Sequence, residues 1–370
     1  QSSVRGCVIL KPLSIDIWEN IRLNLDKQIR RTGTKNYYFP LLIPTSLLSM
    51  EASHIQGFAK ECAVVTHHRL KSNPDYNSET CLPSEALEID QDAKLEEPLV
   101  IRPTSEAAIW TTFRKWIHSH RDLPLKINQW ANVVRWEMRP RPFLRTSEFL
   151  WQEGHTAHST KEDALNTTIE MINIYEKLCK ELLAVPVIKG IKSKSERFAG
   201  ADETYTIEGL MQNGWALQCG TSHFLGKNFS EAFDVKYQDE NGQVNNVWAT
   251  SWGVSTRLIG ALIMSHSDDI GLVLPPSVAP IQVVLIPIHT KKTSPENLSL
   301  ILSTIQSIMD KLEQINIRCE IDNRAHLRIG AKYYEWERKG VPLRIVLGEK
   351  DIIQSSSNNE IKNISISFWD

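Results

Sequence analysis

The sequence has no CxxC pair. Its six cysteines, Cys7, Cys62, Cys81, Cys179, Cys219 and Cys319, are scattered. This excludes a zinc ribbon and a disulfide scaffold, and it fits a reduced, intracellular protein. No apolar run is long enough to span a bilayer, the longest lying near IQVVLIPI, so no membrane partner is expected. The first residues carry no signal-peptide pattern. Charge of one sign is also lacking. The net charge is -2 over 370 residues, so the whole-chain field draws neither nucleic acid nor a membrane, and a polyanion must be bound by a local patch. The usual nucleotide signatures are missing, both GxGxxG and GxxxxGK[ST]. The run KSKS at 192–195 has no HxGH partner and reads as a solvated basic loop.

What the chain does have is 41% hydrophobic residues and eleven tryptophans. That is ample for buried cores, and the length suggests two domains. In SIDIWENIRLNLDKQIRRTG, residues Ile17, Ile21, Leu25 and Ile29 share a face. Ser14 is a candidate N-cap and Gly33 a stop, so a helix is expected. NYYFPLLIP is extended, with prolines that suit an edge or an interface. Residues 70–98 are polar and weakly periodic, a surface excursion. LVIRP is a short strand, and TSEAAIWTTFRKWIHSH a helix burying Ile109, Phe113, Trp116 and Ile117. KINQWANVVRWE and SEFLWQEGH form an antiparallel hairpin with a long Arg/Pro connection. A further helix follows, with Leu165, Ile169 and Ile172 in phase. Then come strands TYTIEG, WALQCG and NVWATSWG and the helix STRLIGALIMSH.

Pro275, Pro276 and Pro280 mark a boundary, giving domains 1–277 and 278–370. Beyond it the order is strand, helix, strand, helix, strand, a compact α/β unit with a parallel core. Its first helix has Ser294 as N-cap and Pro295 at the first position. The tail QSSSNNEIKNISISFWD is uninformative.

The chemistry concentrates in VVRWEMRPRPFLRTSEFLWQEGHTAH. Arg135 and Glu137 are two apart on an expected strand and share a face, and Arg145 can join them across the loop. Guanidinium groups on a rigid sheet suit bidentate binding of phosphate oxygens. A network of surface ion pairs would look the same, and spacing alone leaves both open.

Several segments together resemble the class II aminoacyl-tRNA synthetases, and among them the prolyl-tRNA synthetases of the eukaryote-like type. GTKNYYFPLLIP is similar to motif 1, with Pro40 as its proline. VVRWE with the loop to Arg145 is similar to motif 2, and SWGVSTRLIGALIMSHSDDIGLVLPP to motif 3, with Arg257. RPTSEAA resembles the family's Thr-x-Glu loop, LQCGTSH its loop with Gln218, Thr221 and His223, and KGVPLRIVLGEKD its anticodon-binding domain. The resemblance implies an α+β catalytic domain on an antiparallel sheet flanked by helices, followed by a smaller α/β anticodon-binding domain. It implies activation of L-proline with ATP and transfer to proline tRNA. Arg135 and Arg257 would be the catalytic residues. Proline would be held by Thr104, Glu106, Arg135, Trp151, Glu153, Phe198 and His223. ATP would be held by Arg135, Glu137, Arg145, Thr146, Phe149, Gln218, Thr221, Ser255 and Arg257, with Mg²⁺ near Gln218. Further implications are a homodimer through the motif 1 segment and contact with the anticodon and acceptor end of the tRNA. A cytoplasmic location is expected, with a mitochondrion or plastid as alternatives. A threonyl- or glycyl-type enzyme, or a non-catalytic tRNA-binding relative, are the competing readings. Cys219, His223 and His155 could make a zinc site like that of the threonyl enzyme, but proline has no hydroxyl for a metal to hold.

Overall fold

The computed structural model describes residues 2–49, 61–290, 292–353 and 365–368. Helix α1 (Pro12–Arg31) buries Ile17, Trp18, Ile21, Leu25 and Ile29, the expected stripe. It begins two residues before Ser14, with Pro12 in the first turn, where its missing N–H costs nothing. Strands β1 (Lys35–Asn36) and β2 (Leu42–Pro44) follow. β3 (Ala63–His67) precedes the polar excursion, the hairpin of β4 (Leu70–Ser72) and β5 (Leu87–Ile89) lies within it, and β6 (Lys94–Ile101) closes it.

Helix α2 (Glu106–Trp116) buries Ile109, Trp110 and Phe113, with Ile117 buried just past its end. Trp116 is 43% exposed, contrary to the pattern. Trp110 takes the inward position instead, and Trp116 lies against Tyr37 and Phe39 at the surface. The hairpin forms as expected from β7 (Leu125–Val134) and β8 (Glu148–His158), paired antiparallel along their length. Helix α3 (Lys161–Lys177) turns Ala164, Thr168, Met171, Ile172 and Tyr175 inward, while Ile169 is 37% exposed. It packs on a polar underside: Tyr175 donates to Gln152 (2.6 Å) and the Thr168 carbonyl accepts from Ser222 (2.8 Å). Small and polar residues therefore face in at positions that an apolar count would miss.

Strands β9 (Val187–Ile191), β10 (Glu203–Leu210), β11 (Ala216–Gly226), β12 (Lys236–Gln238), β13 (Val244–Asn246) and β14 (Trp248–Ser255) lead to helix α4 (Arg257–His266). The main sheet has the order β1-β7-β8-β14-β11-β10-β9 and is antiparallel apart from the β1–β7 pair. Residues between β8 and β14 are taken up by α3 and β9–β13, which leaves no inserted domain in that interval.

The second unit comprises β15 (Val283–Ile288), α5 (Pro295–Gln314), β16 (Cys319–Ile321), α6 (Ile329–Arg338), β17 (Leu343–Gly348) and β18 (Ser365–Phe368). β15 is parallel to β16 and β17, and β18 adds an antiparallel edge from the tail that gave no signal. Ser294 caps α5 by accepting from the Asn297 N–H, as expected.

The two units meet main chain to main chain. Leu272 N–H donates to the Arg338 carbonyl (3.0 Å). A Cβ on Gly271 would lie 2.6 Å from Arg338 Cα, and one on Gly340 (φ +70°) 2.7 Å from the Leu272 oxygen. Arg318 donates to the carbonyls of Pro276, Ser277 and Ala279. The linker is thereby pinned across the three-proline stretch. No helix among the described residues is long and apolar enough to cross a membrane.

Candidate active site

Strand alternation builds the site on one face of the main sheet. On β8, Phe149, Trp151, Glu153 and His155 share parity and line one cavity of about 300 Å³. On β14, Ser251, Gly253 and Ser255 lie opposite His155, Glu153 and Trp151. β11 breaks parity. Its register with β10 shifts so that Glu208 faces Gln218 while Ile207 faces Gly220, leaving Cys219 as the extra residue. That bulge lets Gln218, Thr221 and His223, which are not evenly spaced, all line the cavity.

Thr104 and Glu106 enter from the start of α2 and are hydrogen-bonded to each other. Glu153 is buried, at 3% exposure. One oxygen accepts from Ser105 (2.5 Å) and Gln129 (2.8 Å), and the other meets His155 Nε2 at 3.0 Å. Burial pushes the Glu153 carboxyl up, but the bonds from His155, Ser105 and Gln129 outweigh it and hold it below the usual carboxylate range. Burial pushes His155 down, and Glu153 and Glu106 reverse that and raise it. The two shifts both favour the ion pair. Gln129 also accepts from the Phe39 N–H, tying the motif 1 segment to the pocket floor. Burial and the nearby Lys192 charge push His223 down to about 3, so its ring is neutral.

Arg135 follows β7. Its N–H continues the ladder to Ser147 (2.8 Å) before the chain departs, so Glu137 lies beyond the strand rather than on it. Pro140 and Pro142 cannot donate to a ladder, which is why pairing stops there. Arg135 Nε donates to the Pro103 carbonyl (2.9 Å), and its guanidinium lies 5.4 Å from the Trp151 ring. Burial lowers its pKa, countered by Glu106, Glu61 and Glu153. Arg257 opens α4 and donates to the Leu144 carbonyl (3.1 Å). Arg145 pairs with Glu137 (2.5 Å), and both line an adjoining depression with Thr146, Phe149, Ser255 and Arg257. Arg141, whose main chain pairs with that of Arg145, lies 5.0 Å over the Trp215 ring at the β10–β11 turn.

The structure thus brings every sequence-predicted site residue to one cavity or the depression beside it. Among the further lining residues, three polar ones bear on the chemistry. His155 and Ser251 line the cavity, and His155 Nδ1 and Ser251 Oγ are buried without a protein partner. The signal for His155 was its spacing two residues after Glu153. The third is Lys192, read as part of a solvated loop. Its ammonium donates to Gln218 Oε1 (2.6 Å) and its side chain is 19% exposed. That contact also bears on a cation at Gln218. The amide oxygen is already taken by a positive group, and Glu208, the nearby carboxylate, is 4.0 Å from the same ammonium. A protein-held Mg²⁺ does not fit there. Among the described residues no three His, Cys, Asp or Glu side chains are grouped to hold a metal.

Residues 87–266 match the tRNA synthetase class II core domain (G, H, P, S and T), and residues 282–363 the anticodon binding domain. The chain is 56% identical over 351 residues to a proline–tRNA ligase of Flavobacterium johnsoniae, covering 95% of this chain and 69% of that one. It is 58% identical over 349 residues to that of Cytophaga hutchinsonii, covering 94% and 69%. Among solved structures, prolyl-tRNA synthetase from Cryptosporidium parvum complexed with halofuginone and AMPPNP superposes with a TM-score of 0.85 at 43% identity, over 100% of this chain and 69% of that one. The same enzyme complexed with L-proline and AMP gives 0.85 at 41%, over 100% and 67%. With the class II core, the anticodon-binding unit and this degree of identity together, the chain belongs to the prolyl-tRNA synthetases.

Proposed function

We infer that the chain activates L-proline with ATP to prolyl-adenylate and then transfers the prolyl group to proline tRNA. The observation that carries this is a single cavity with buried carboxylates at one end and arginines at the other. Thr104 and Glu106 offer acceptors to the two N–H donors of a secondary ammonium, and Trp151, Phe198 and His223 wall a small ring. Glu153 acts behind them, held by Gln129 and His155. Arg135 lies between the two ends, where a substrate carboxylate meets the α-phosphate. The carboxylate attacks phosphorus in line and pyrophosphate leaves. The charge that builds on the phosphoryl oxygens is met by Arg135 and Arg257, so catalysis is positioning plus electrostatics with no covalent protein intermediate. Glu137, Arg145, Thr146, Phe149, Gln218, Thr221 and Ser255 complete the nucleotide's surroundings. Magnesium bound with the nucleotide would neutralise phosphate charge, and Gln218, whose oxygen accepts from Lys192, would not be its ligand.

Residues 1–277 form the catalytic domain and 278–370 the anticodon-binding domain in this reading. The motif 1 segment supports a homodimer: Tyr38 is 73% and Leu42 43% exposed beside the buried Phe39, a surface that a second copy would cover. Sedimentation at micromolar concentration tests this, and an active monomer would count against it. The deciding experiment for the function is ATP–pyrophosphate exchange across the amino acids. Exchange driven by proline is expected, and exchange driven only by threonine or glycine would refute the assignment.

A further inference from the structure

Lys192 follows the edge strand β9, and its own N–H donates to the Thr204 carbonyl (2.9 Å). The sheet ladder therefore fixes its backbone, while Ser193, Lys194 and Ser195 beyond it are exposed. Its ammonium turns inward to Gln218, and its charge is felt at His223. The groups that answer that charge are weak: a neutral amide at 2.6 Å and a partly exposed Glu208 carboxylate at 4.0 Å. A cation held at the cavity wall by so few bonded partners has its charge open to an anion in the cavity. Arg257 approaches the same strand from the other flank, close enough for Cys219 to act on its charge. Two cations thus converge on the bulged segment of β11 from either side.

We propose that Lys192 is a third cation of the nucleotide site, binding the phosphate chain at the Gln218 wall, on the same face of the sheet as Arg135 but toward its β9 edge. This rests on the proposed reading of Gln218 and Arg257 as nucleotide-binding. Lys192 supplies, as a fixed ammonium, the positive charge that Gln218 alone cannot attract from a metal. A lysine serves here as a point charge and not as a fork, which suits a phosphate group whose oxygens turn during the reaction.

The test compares Lys192→Met, Lys192→Gln and Lys192→Arg in proline-dependent ATP–pyrophosphate exchange, with ATP binding measured by calorimetry. Lys192→Met and Lys192→Gln should each weaken ATP, in KM and in Kd, by roughly ten- to a hundredfold, the size of one lost charge-assisted hydrogen bond. Lys192→Arg should recover most of the loss. The KM for proline should stay within about twofold, a split that a merely misfolded site would not give. Unchanged ATP parameters in Lys192→Met overturn the proposal. So does full rescue by Lys192→Gln, which keeps a donor for Gln218 without charge and would mean that Lys192 only orients the amide. Arg257→Ala serves as the control. If it leaves exchange intact, the site reading itself fails, whereas loss in Arg257→Ala with normal Lys192 variants overturns the Lys192 proposal alone.

Discussion

The two ends of the cavity are built on different principles. At the end proposed for proline the polar groups are buried and already committed to one another: Glu106 to Thr104, Glu153 to Ser105, Gln129 and His155. At the end proposed for the nucleotide, cations come from strand ends and a loop, and Arg145 is 65% exposed. A small ring offers few handles, so its selector must be rigid before it arrives. A triphosphate carries enough charge to organise an exposed partner such as Arg145 itself. Stiffness goes to the end where discrimination is hard.

That contrast breaks most severely where the ends join. Arg135→Ala should lower exchange roughly 10²–10³-fold or more, as loss of a preorganised charge at the reacting centre does, with both substrates still binding. Steady-state exchange and calorimetry would show it, and a loss confined to ATP affinity would contradict the placement. Next in size, Glu106→Gln should weaken proline by roughly 2–4 kcal/mol with ATP binding little changed, since it leaves an ammonium donor half satisfied. Equal effects on the two substrates would erase the distinction between the ends.

A smaller, pH-dependent effect sharpens it. The contribution of Glu153 is present above its ordinary 4.5 and is lost as pH falls through its depressed pKa. That of His155 is full below its ordinary 6.5 and is lost as pH rises through its raised pKa. The pair therefore stabilises most between those ordinary values. Melting of Glu153→Gln against the parent should show its greatest deficit there and a reduced one at alkaline pH. His223 works in the opposite sense. Its neutral form favours folding above 6.5, and that is lost as pH falls from 6.5 toward about 3. The smallest effect belongs to the loop in which the Arg141 main chain pairs with that of Arg145. Trp215→Ala removes the stacking under Arg141, worth about 0.5–1 kcal/mol when exposed, and should raise the KM for ATP a few-fold while proline is unaffected.

Much of this was legible in the sequence. Strand period, the helix stripe on α1 and the Ser294–Pro295 start of α5 are local signals, and local physics decides them. The hairpin could be placed because its two strands alternate and its prolines cannot. Lys192 was not legible, because a lysine beside Ser193, Lys194 and Ser195 has the composition of a solvated loop. Only the β9–β10 pairing, set by distant residues, turns it inward. Ile169 and Trp116 misled for a related reason. What α3 packs against is a polar sheet underside, so the inward face carries Thr168 and Tyr175. The bulge at Cys219 was invisible too, since an extra residue exists only relative to a partner strand.

The junction of the two domains has a consequence of its own. At Gly271 and Gly340 the facing main chains leave no room for a Cβ, so there is no side chain to trim and no soft joint to loosen. The spacing of the two units at this point is set by main chain alone, and a tRNA bound by both, as the proposed function has it, would be held to that one span.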